Sequence, residues 1–248
     1  MWPRPVGFWS AVQFLTRIPA PQHESRLDGA LVWFPVVGLL LGAVLVGLDG
    51  AFRWAALPSL LSSVLLVVAL LALTGGLHAD GLMDTCDAVF VHATPERRLE
   101  IMRDPHAGSF AVVGLVAVVA LKVAALDALT GSQRTAALVL APTLGRWAIV
   151  LLAGLFPYGR VVGLGSGLKA SATRPKIVLA TLLPLGAGVL LWPMGVVLGV
   201  LAAVTAVVLG MWLMRLLPGL TGDCYGAGCE LTETVVLVAA VALAYALA

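Results

Sequence analysis

The chain predicts an all-α, polytopic membrane helix bundle. Three observations predict it: an excess of apolar residues, a shortage of charge, and the segregation of that charge. Of the 248 residues 60% are hydrophobic and only 11% charged, where a soluble domain carries roughly 25% charged residues. Mean hydropathy is +1.03. Seven apolar stretches can be drawn with only Lys122 and Arg146 inside them. This excludes a disordered chain, a disulfide scaffold and a water-soluble globule. The net charge of +2 comes with no basic run longer than Arg97-Arg98, so no nucleic-acid partner is expected.

The chain opens on Met1-Trp2-Pro3-Arg4-Pro5, which does not fit a cleavable signal peptide. Residues 7–20 are too short and polar to span and fit an interfacial helix anchored by Trp9 and Phe14. About 20 apolar residues cross a bilayer, and the candidate spans are 30–48, 55–77, 109–126, 135–156, 177–192, 195–214 and 234–248. They make one integral-membrane catalytic domain over 1–248, joined by loops 78–108, 157–176 and 215–233. With seven spans, eleven Lys and Arg fall on the side of the N-terminus and these loops. Only Arg53 and Arg134 fall on the other. The bias of positive charge places the eleven-charge side in the cytoplasm of the cell membrane. Cys86, Cys224 and Cys229 then lie in cytoplasmic loops as free thiols, with no zinc-ligand spacing.

In the first long loop Asp80, Asp84 and Asp87 stand at i, i+4 and i+7, one face of a helix. Two carboxylates roughly 6 Å apart repel by about 2–3 kcal/mol at an effective dielectric near 20. A solvated helix start accounts for one such Asp; three on one stripe call for a cation. Hard oxygen ligands suit Mg2+, which uses a few carboxylates and completes its shell with phosphate and water. Thr94-Pro95 then starts a short helix, Thr as cap and Pro at the first position. Its alternating charges, Glu96 to Asp104, read as an exposed, salt-bridged surface.

In the second loop Gly163, Gly165 and Lys169 fit either an anion-binding nest or a flexible linker. In the third, Asp223 and Glu230 could join the first cluster as a second carboxylate set, or simply open the last span. Arg146 lies mid-span and needs a carboxylate or phosphate partner. Lys122, near the outer end of its span, is expected to snorkel toward Asp127.

The run from Thr74 through His78, Asp80, Gly81, Asp84 and Asp87, followed by Glu100-Ile101-Met102-Arg103-Asp104, resembles the cobalamin synthase family of adenosylcobinamide-GDP ribazoletransferases. Phe14-Leu15-Thr16-Arg17-Ile18-Pro19, Phe34-Pro35-Val36-Val37-Gly38 and Leu220-Thr221-Gly222-Asp223 with Gly226-Ala227 fit in the same order, over essentially the whole chain. One departure is Pro105-His106-Ala107-Gly108, where family members commonly continue with Ser-Arg and a Gly; His106 could partly replace that cation.

The resemblance implies transfer of α-ribazole, or its 5′-phosphate, onto adenosylcobinamide-GDP with loss of GMP and a need for Mg2+. It implies Mg2+ on Asp80, Asp84 and Asp87, with Asp223 and Glu230 completing the metal or nucleotide site. Asp80, Asp84 or His78 would take the attacking hydroxyl's proton. Arg103 and Asp104 would orient substrate phosphate or metal-bound water, and Asp223 would join them on substrate; from the residue reading, Arg146, Gly163, Gly165 and Lys169 are further candidates for substrate binding. Beyond its substrates and the lipid bilayer, partners stay open between a homo-oligomer and corrin-pathway enzymes. A CDP-alcohol phosphotransferase is the alternative enzyme, but Leu82-Met83-Asp84 replaces its Ala-Arg and wider spacing. An ion-coupled transporter is the alternative class, but its polar groups belong at the midplane of repeated halves, and no internal repeat is visible.

Overall fold

The computed structural model describes residues 5–19, 29–160, 164–191 and 193–246. Every regular element among them is helical, and the bundle is polytopic as expected. Helix α1 (Pro5–Leu15) packs on a 3-10 turn (Ala30–Trp33) that leads into α2 (Phe34–Trp54). Phe14 stacks on Phe34 at 5.9 Å, and Ala11 and Leu15 are fully buried. The chain then runs α3 (Ser59–Thr74), α4 (Leu77–Val89), α5 (Pro95–Ile101), α6 (Ser109–Ala128) and α7 (Gly131–Leu155). It ends with α8 (Leu164–Ser171), α9 (Arg174–Leu190), α10 (Met194–Leu213) and α11 (Gly222–Ala246).

Five segments are long and apolar enough to cross a membrane alone: Ala30–Trp54, α6, α7, α10 and α11. Two more candidates are bent pairs, α3 with α4 at 92° and α8 with α9 at 96°, which bring the count to seven. The outward faces of α6 (Val112, Val113, Val116), α9 (Leu182, Leu185, Val189) and α10 (Val200, Val204, Val208) are exposed and apolar. Patches of this size suit hydrocarbon rather than water.

Several span boundaries differ from the sequence expectation; α2, for one, runs past 48 to Trp54 and takes in Asp49 and Arg53. The last span begins at Gly222, not 234, so Asp223 and Glu230 belong to a helix rather than a loop. Helix α7 begins at Gly131 and so takes in Arg134. In both cases charge hides the span from a hydropathy reading, because it is neutralised inside the bundle. Arg134 Nε donates to Asp49 of α2 at 2.8 Å and Nη1 to Ser63 of α3 at 3.1 Å.

Close helix contacts are made at glycines. Gly38 and Gly42 of α2, four residues apart, press on α7; a Cβ at Gly42 would come 2.8 Å from Val139 Cα. This is the small-residue packing that membrane helices use. The bend between α3 and α4 is made by Gly75 and Gly76, both left-handed (φ +62 and +71), a conformation that costs other residues a Cβ clash. Past the bend, α4 leaves the span and lies across the first turns of α11. A Cβ on Gly81 would stand 2.8 Å from Asp223 O, and one on Gly226 would stand 3.0 Å from His78 O.

Gly81→Val should therefore push α4 off α11. Overpacking of this kind costs about 1–3 kcal/mol; a lowered Tm in detergent measures it, and a Tm equal to the wild type's would refute the contact.

Candidate active site

Helix α4 carries the expected aspartates, but their stripe divides. Asp80 is exposed and Asp84 half-buried, beside Asp223 at the start of α11. Burial, and then the neighbouring Asp223 and Asp80 carboxylates, push the Asp84 carboxyl up to about 7. Asp87 turns away: its oxygens accept the backbone N–H of Gly108 at 2.6 Å and of Ala111 at 2.9 Å. It caps the first turn of α6 and stands outside the cluster.

Opposite Asp223, Gly159 N donates to Leu220 O at 2.8 Å and Leu220 N to Pro157 O at 2.9 Å. This stitch holds Tyr158 and Arg160 over α11, and Arg160 Nη2 lies 3.0 Å from Asp223 Oδ2. Thr221 Oγ1 donates to the same oxygen at 3.2 Å.

Two cavities open on either side of α4. The smaller, about 260 Å³, is lined by His78, Asp80, Tyr158, Arg160, Asp223 and Tyr225. The larger, about 730 Å³, is lined by Phe14, Thr16, Arg17, Asp80, Met83 and Leu115 among others. Asp80 is the carboxylate common to both walls. In the smaller cavity His78 Nε2, Arg160 Nε and Tyr225 Oη are buried without a hydrogen-bond partner among the described residues. Unmade buried hydrogen bonds are costly, and such groups are suited to oxygens of a ligand.

Behind this wall runs a buried ion network. Lys122 of α6 does not snorkel to Asp127. Its Nζ lies 2.6 Å from Glu230 Oε2 and 2.5 Å from Glu233 Oε2, both on the inward face of α11. Arg146 of α7 pairs with Glu233 Oε1, and its Nη2 faces His78 Nδ1 at 3.5 Å. Two cations and two anions thus cancel inside the bundle. Glu230, expected as a metal ligand, is held by Lys122; Arg146, expected on substrate, is held by Glu233 and reaches the cavity only through His78.

The other expected residues divide between the cavity wall and positions away from it. Lys169 Nζ donates to Ala153 O and Gly154 O at 2.9 and 3.4 Å, capping α7. Gly165, in the first turn of α8, lines the smaller cavity and packs on the Tyr158 ring, where a Cβ would come 2.6 Å from Cε2; Gly163 lies outside the described residues. Arg103 and Asp104 are exposed and line neither cavity. Asp104 Oδ1 accepts from His106 N at 3.0 Å and meets His106 Nδ1 at 2.6 Å. The surface helix α5 pairs Arg97 with Glu100 as expected, at 2.7 Å. Arg98 instead is buried and donates to Ala88 O and Val89 O at 2.5 and 2.7 Å, capping α4. The three cysteines are free and buried. Arg160, Tyr158, Tyr225 and Glu233 are site or support residues that sequence reasoning missed. For Arg160 the only signal was a lone Arg between glycines in a loop otherwise read for its charge.

Among the described residues no three His, Cys, Asp or Glu side chains stand close enough to enclose a metal ion. The donor set fits a hard cation held by one or two carboxylates, its shell completed by phosphate and water. The gathering of the Asp80, Asp84 and Asp223 carboxylates at the meeting of α4 and α11 favours such a cation.

Polar groups gathered at one end of an apolar bundle, around cavities of ligand size, belong to a membrane-embedded enzyme, and comparison with known proteins makes it a transferase of phosphate groups. The chain belongs to the cobalamin-5-phosphate synthase family, whose model matches residues 7–241. It is 37% identical to the adenosylcobinamide-GDP ribazoletransferase of Desulfitobacterium hafniense, over 96% of this chain and 97% of the relative. It is 42% identical to the proteins of that name from Stutzerimonas stutzeri (92% and 94% covered) and Pseudomonas fluorescens (94% and 98%). No solved structure matches the chain.

If Lys122 and Glu230 neutralise each other, Lys122→Met alone leaves buried carboxylate charge without its counter-ion, a loss of about 3–5 kcal/mol. Lys122→Met with Glu230→Gln keeps the network neutral and should recover part of the Tm. A double variant that loses the sum of the single losses would overturn the pairing.

Proposed function

We propose that the protein joins adenosylcobinamide-GDP to α-ribazole, or to its 5′-phosphate, and releases GMP. This forms adenosylcobalamin or its 5′-phosphate, the last step in assembling the nucleotide loop. The observation that carries this reading is Asp80 in the wall of both cavities, where two substrates can meet at one carboxylate. The relatives' shared name supports the choice of substrates.

The acceptor hydroxyl oxygen forms a bond to the phosphorus that carries the cobinamide. The bond from that phosphorus to the bridging oxygen breaks, and GMP leaves with the electron pair. Asp80 takes the hydroxyl proton, a role that requires a carboxylate within reach of the acceptor. Such transfer depends on positioning and on charge stabilisation. Arg160, Tyr225 and His78 donate to the diphosphate oxygens. His78 does so through Nε2, because Nδ1 faces the Arg146 guanidinium; it is a donor here rather than a base. Asp84 and Asp223 would hold Mg2+, which supplies positive charge to the diphosphate.

The site is further proposed to face the cytoplasm at the cell membrane. Arg17, Arg97, Arg98, Arg103, Arg160, Lys169 and Arg215 lie at the α4 end of the bundle, against Arg53 and Arg134 at the other, and that bias favours a cytoplasmic α4 end.

Purified protein in detergent, given adenosylcobinamide-GDP and α-ribazole, should release GMP only with Mg2+ present. Asp80→Ala and Asp84→Ala should each lower kcat/KM at least about a hundredfold. GMP release that persists undiminished in both variants, or without a divalent ion, contradicts the mechanism. Asp87→Asn keeps a capping oxygen and should stay within about tenfold of wild type, with a modest fall in Tm; loss as deep as that of Asp84→Ala would return Asp87 to the metal site.

A further inference from the structure

One side chain belongs both to the buried ion network and to the smaller cavity. His78 is buried and lines that cavity. Its Nδ1 stands 3.5 Å from Arg146 Nη2, and its Nε2 has no hydrogen-bond partner among the described residues. A guanidinium carries donors only. The imidazole nitrogen that meets it must offer a lone pair, so the single proton of the neutral ring sits on Nε2. A carbonyl or carboxylate at the place of Arg146 would do the reverse, drawing the proton to Nδ1 and leaving Nε2 an acceptor. The first ring donates to an anionic ligand; the second repels it.

Arg146 can set the ring's proton only if it is itself held. Its Nη1 pairs with Glu233 Oε1 and lies 3.4 Å from Pro142 O. The second oxygen of Glu233 is taken by Lys122 Nζ at 2.5 Å, so the carboxylate has no freedom to turn away. The backbones are equally close. A Cβ on Gly145, beside Arg146, would come 2.7 Å from Glu233 Cγ and 3.1 Å from Cys229 O. The guanidinium therefore stands between a fixed carboxylate and the His78 ring, and it touches neither the Asp80 nor the Asp223 carboxylate.

We infer that Arg146 is a positioning residue for the reaction: held by Glu233, it fixes His78 as the Nε2–H tautomer, so that a neutral ring donates to the diphosphate. The inference rests on the phosphate-transfer reading above, which supplies the diphosphate. It gives the buried network a second task besides neutralising its own charge, and it assigns that task to the Arg146–Glu233 half rather than to Lys122 and Glu230.

The test reads the ring directly. Protein in detergent, its histidines labelled with NMR-active nitrogen, shows which imidazole nitrogen carries the proton; the His78 signals are those lost in His78→Gln. In wild type Nε2 should be protonated and Nδ1 bare. Arg146→Gln with Glu233→Gln keeps the network neutral but offers Nδ1 an amide oxygen. The Nδ1–H form should then be populated, and kcat/KM for adenosylcobinamide-GDP should fall about a hundredfold, the scale of one lost donor. Lys122→Met with Glu230→Gln removes as many charges and leaves Arg146 on Glu233, so it should keep the wild-type tautomer. His78→Gln supplies an N–H that has no tautomer to fix, and in that background the Arg146 and Glu233 pair of substitutions should cost little more activity. A wild-type ring protonated on Nδ1, or on both nitrogens, overturns the proposal. So does a tautomer that the Arg146 and Glu233 pair leaves unchanged or that both double variants shift alike, and so does an equal loss of activity with and without His78. No GMP release from wild type would instead sink the underlying reading, while the NMR would still decide whether Arg146 sets the ring.

Discussion

The structure depends on one buried ion network. Lys122 on α6, Glu230 and Glu233 on α11, Arg146 on α7 and His78 on α4 meet inside the bundle, behind the wall of the smaller cavity. A single such charge in hydrocarbon is costly, so each group constrains where its partners' helices can lie. Apolar packing between membrane helices is permissive in rotation and depth, since lipid offers similar contacts. The ion network is not permissive. It sets the rotation of α11 relative to α6 and α7, and through His78 it fixes the face that α4 turns toward Arg146.

Glycines convert that registration into a site. Gly75 and Gly76 turn the chain through the bend that lays α4 over α11. Gly81 and Gly226 then let the two backbones approach until Asp84 and Asp223 share one environment. The stitch between Gly159 and Leu220 brings Arg160 to the same place from a loop more than sixty residues away in sequence. The functional groups are therefore carried by contacts between backbones, and each is positioned by an element other than its own.

Much of this was legible in the chain. Five spans were readable because apolar length marks them, while the stretches at 55–77 and 177–192 proved to be parts of bent helix pairs; α5 was readable because Thr94 and Pro95 mark its start. The Asp80–Asp84 pair stood out because like charges four residues apart need a reason. The start of α11 was hidden, because Glu230 and Glu233 look like loop residues until Lys122 and Arg146 are seen beside them. The division of the aspartate stripe was hidden as well. Helical spacing puts Asp87 beside Asp84, but only the position of α6 shows that its oxygens meet Gly108 and Ala111.

By itself the amino-acid order determined that the protein lies in a membrane, that its charge collects at one end, and which carboxylates crowd one another. These are local properties: hydropathy over twenty residues and periodicity over seven. The tertiary structure alone decided which charges neutralise each other and which face a ligand. It separated Glu230 from the site and brought Arg160 and Tyr225 into it. The reason is physical: an ionic group's role follows from the charge a few ångströms away, and in a helix bundle that neighbour comes from a distant part of the chain.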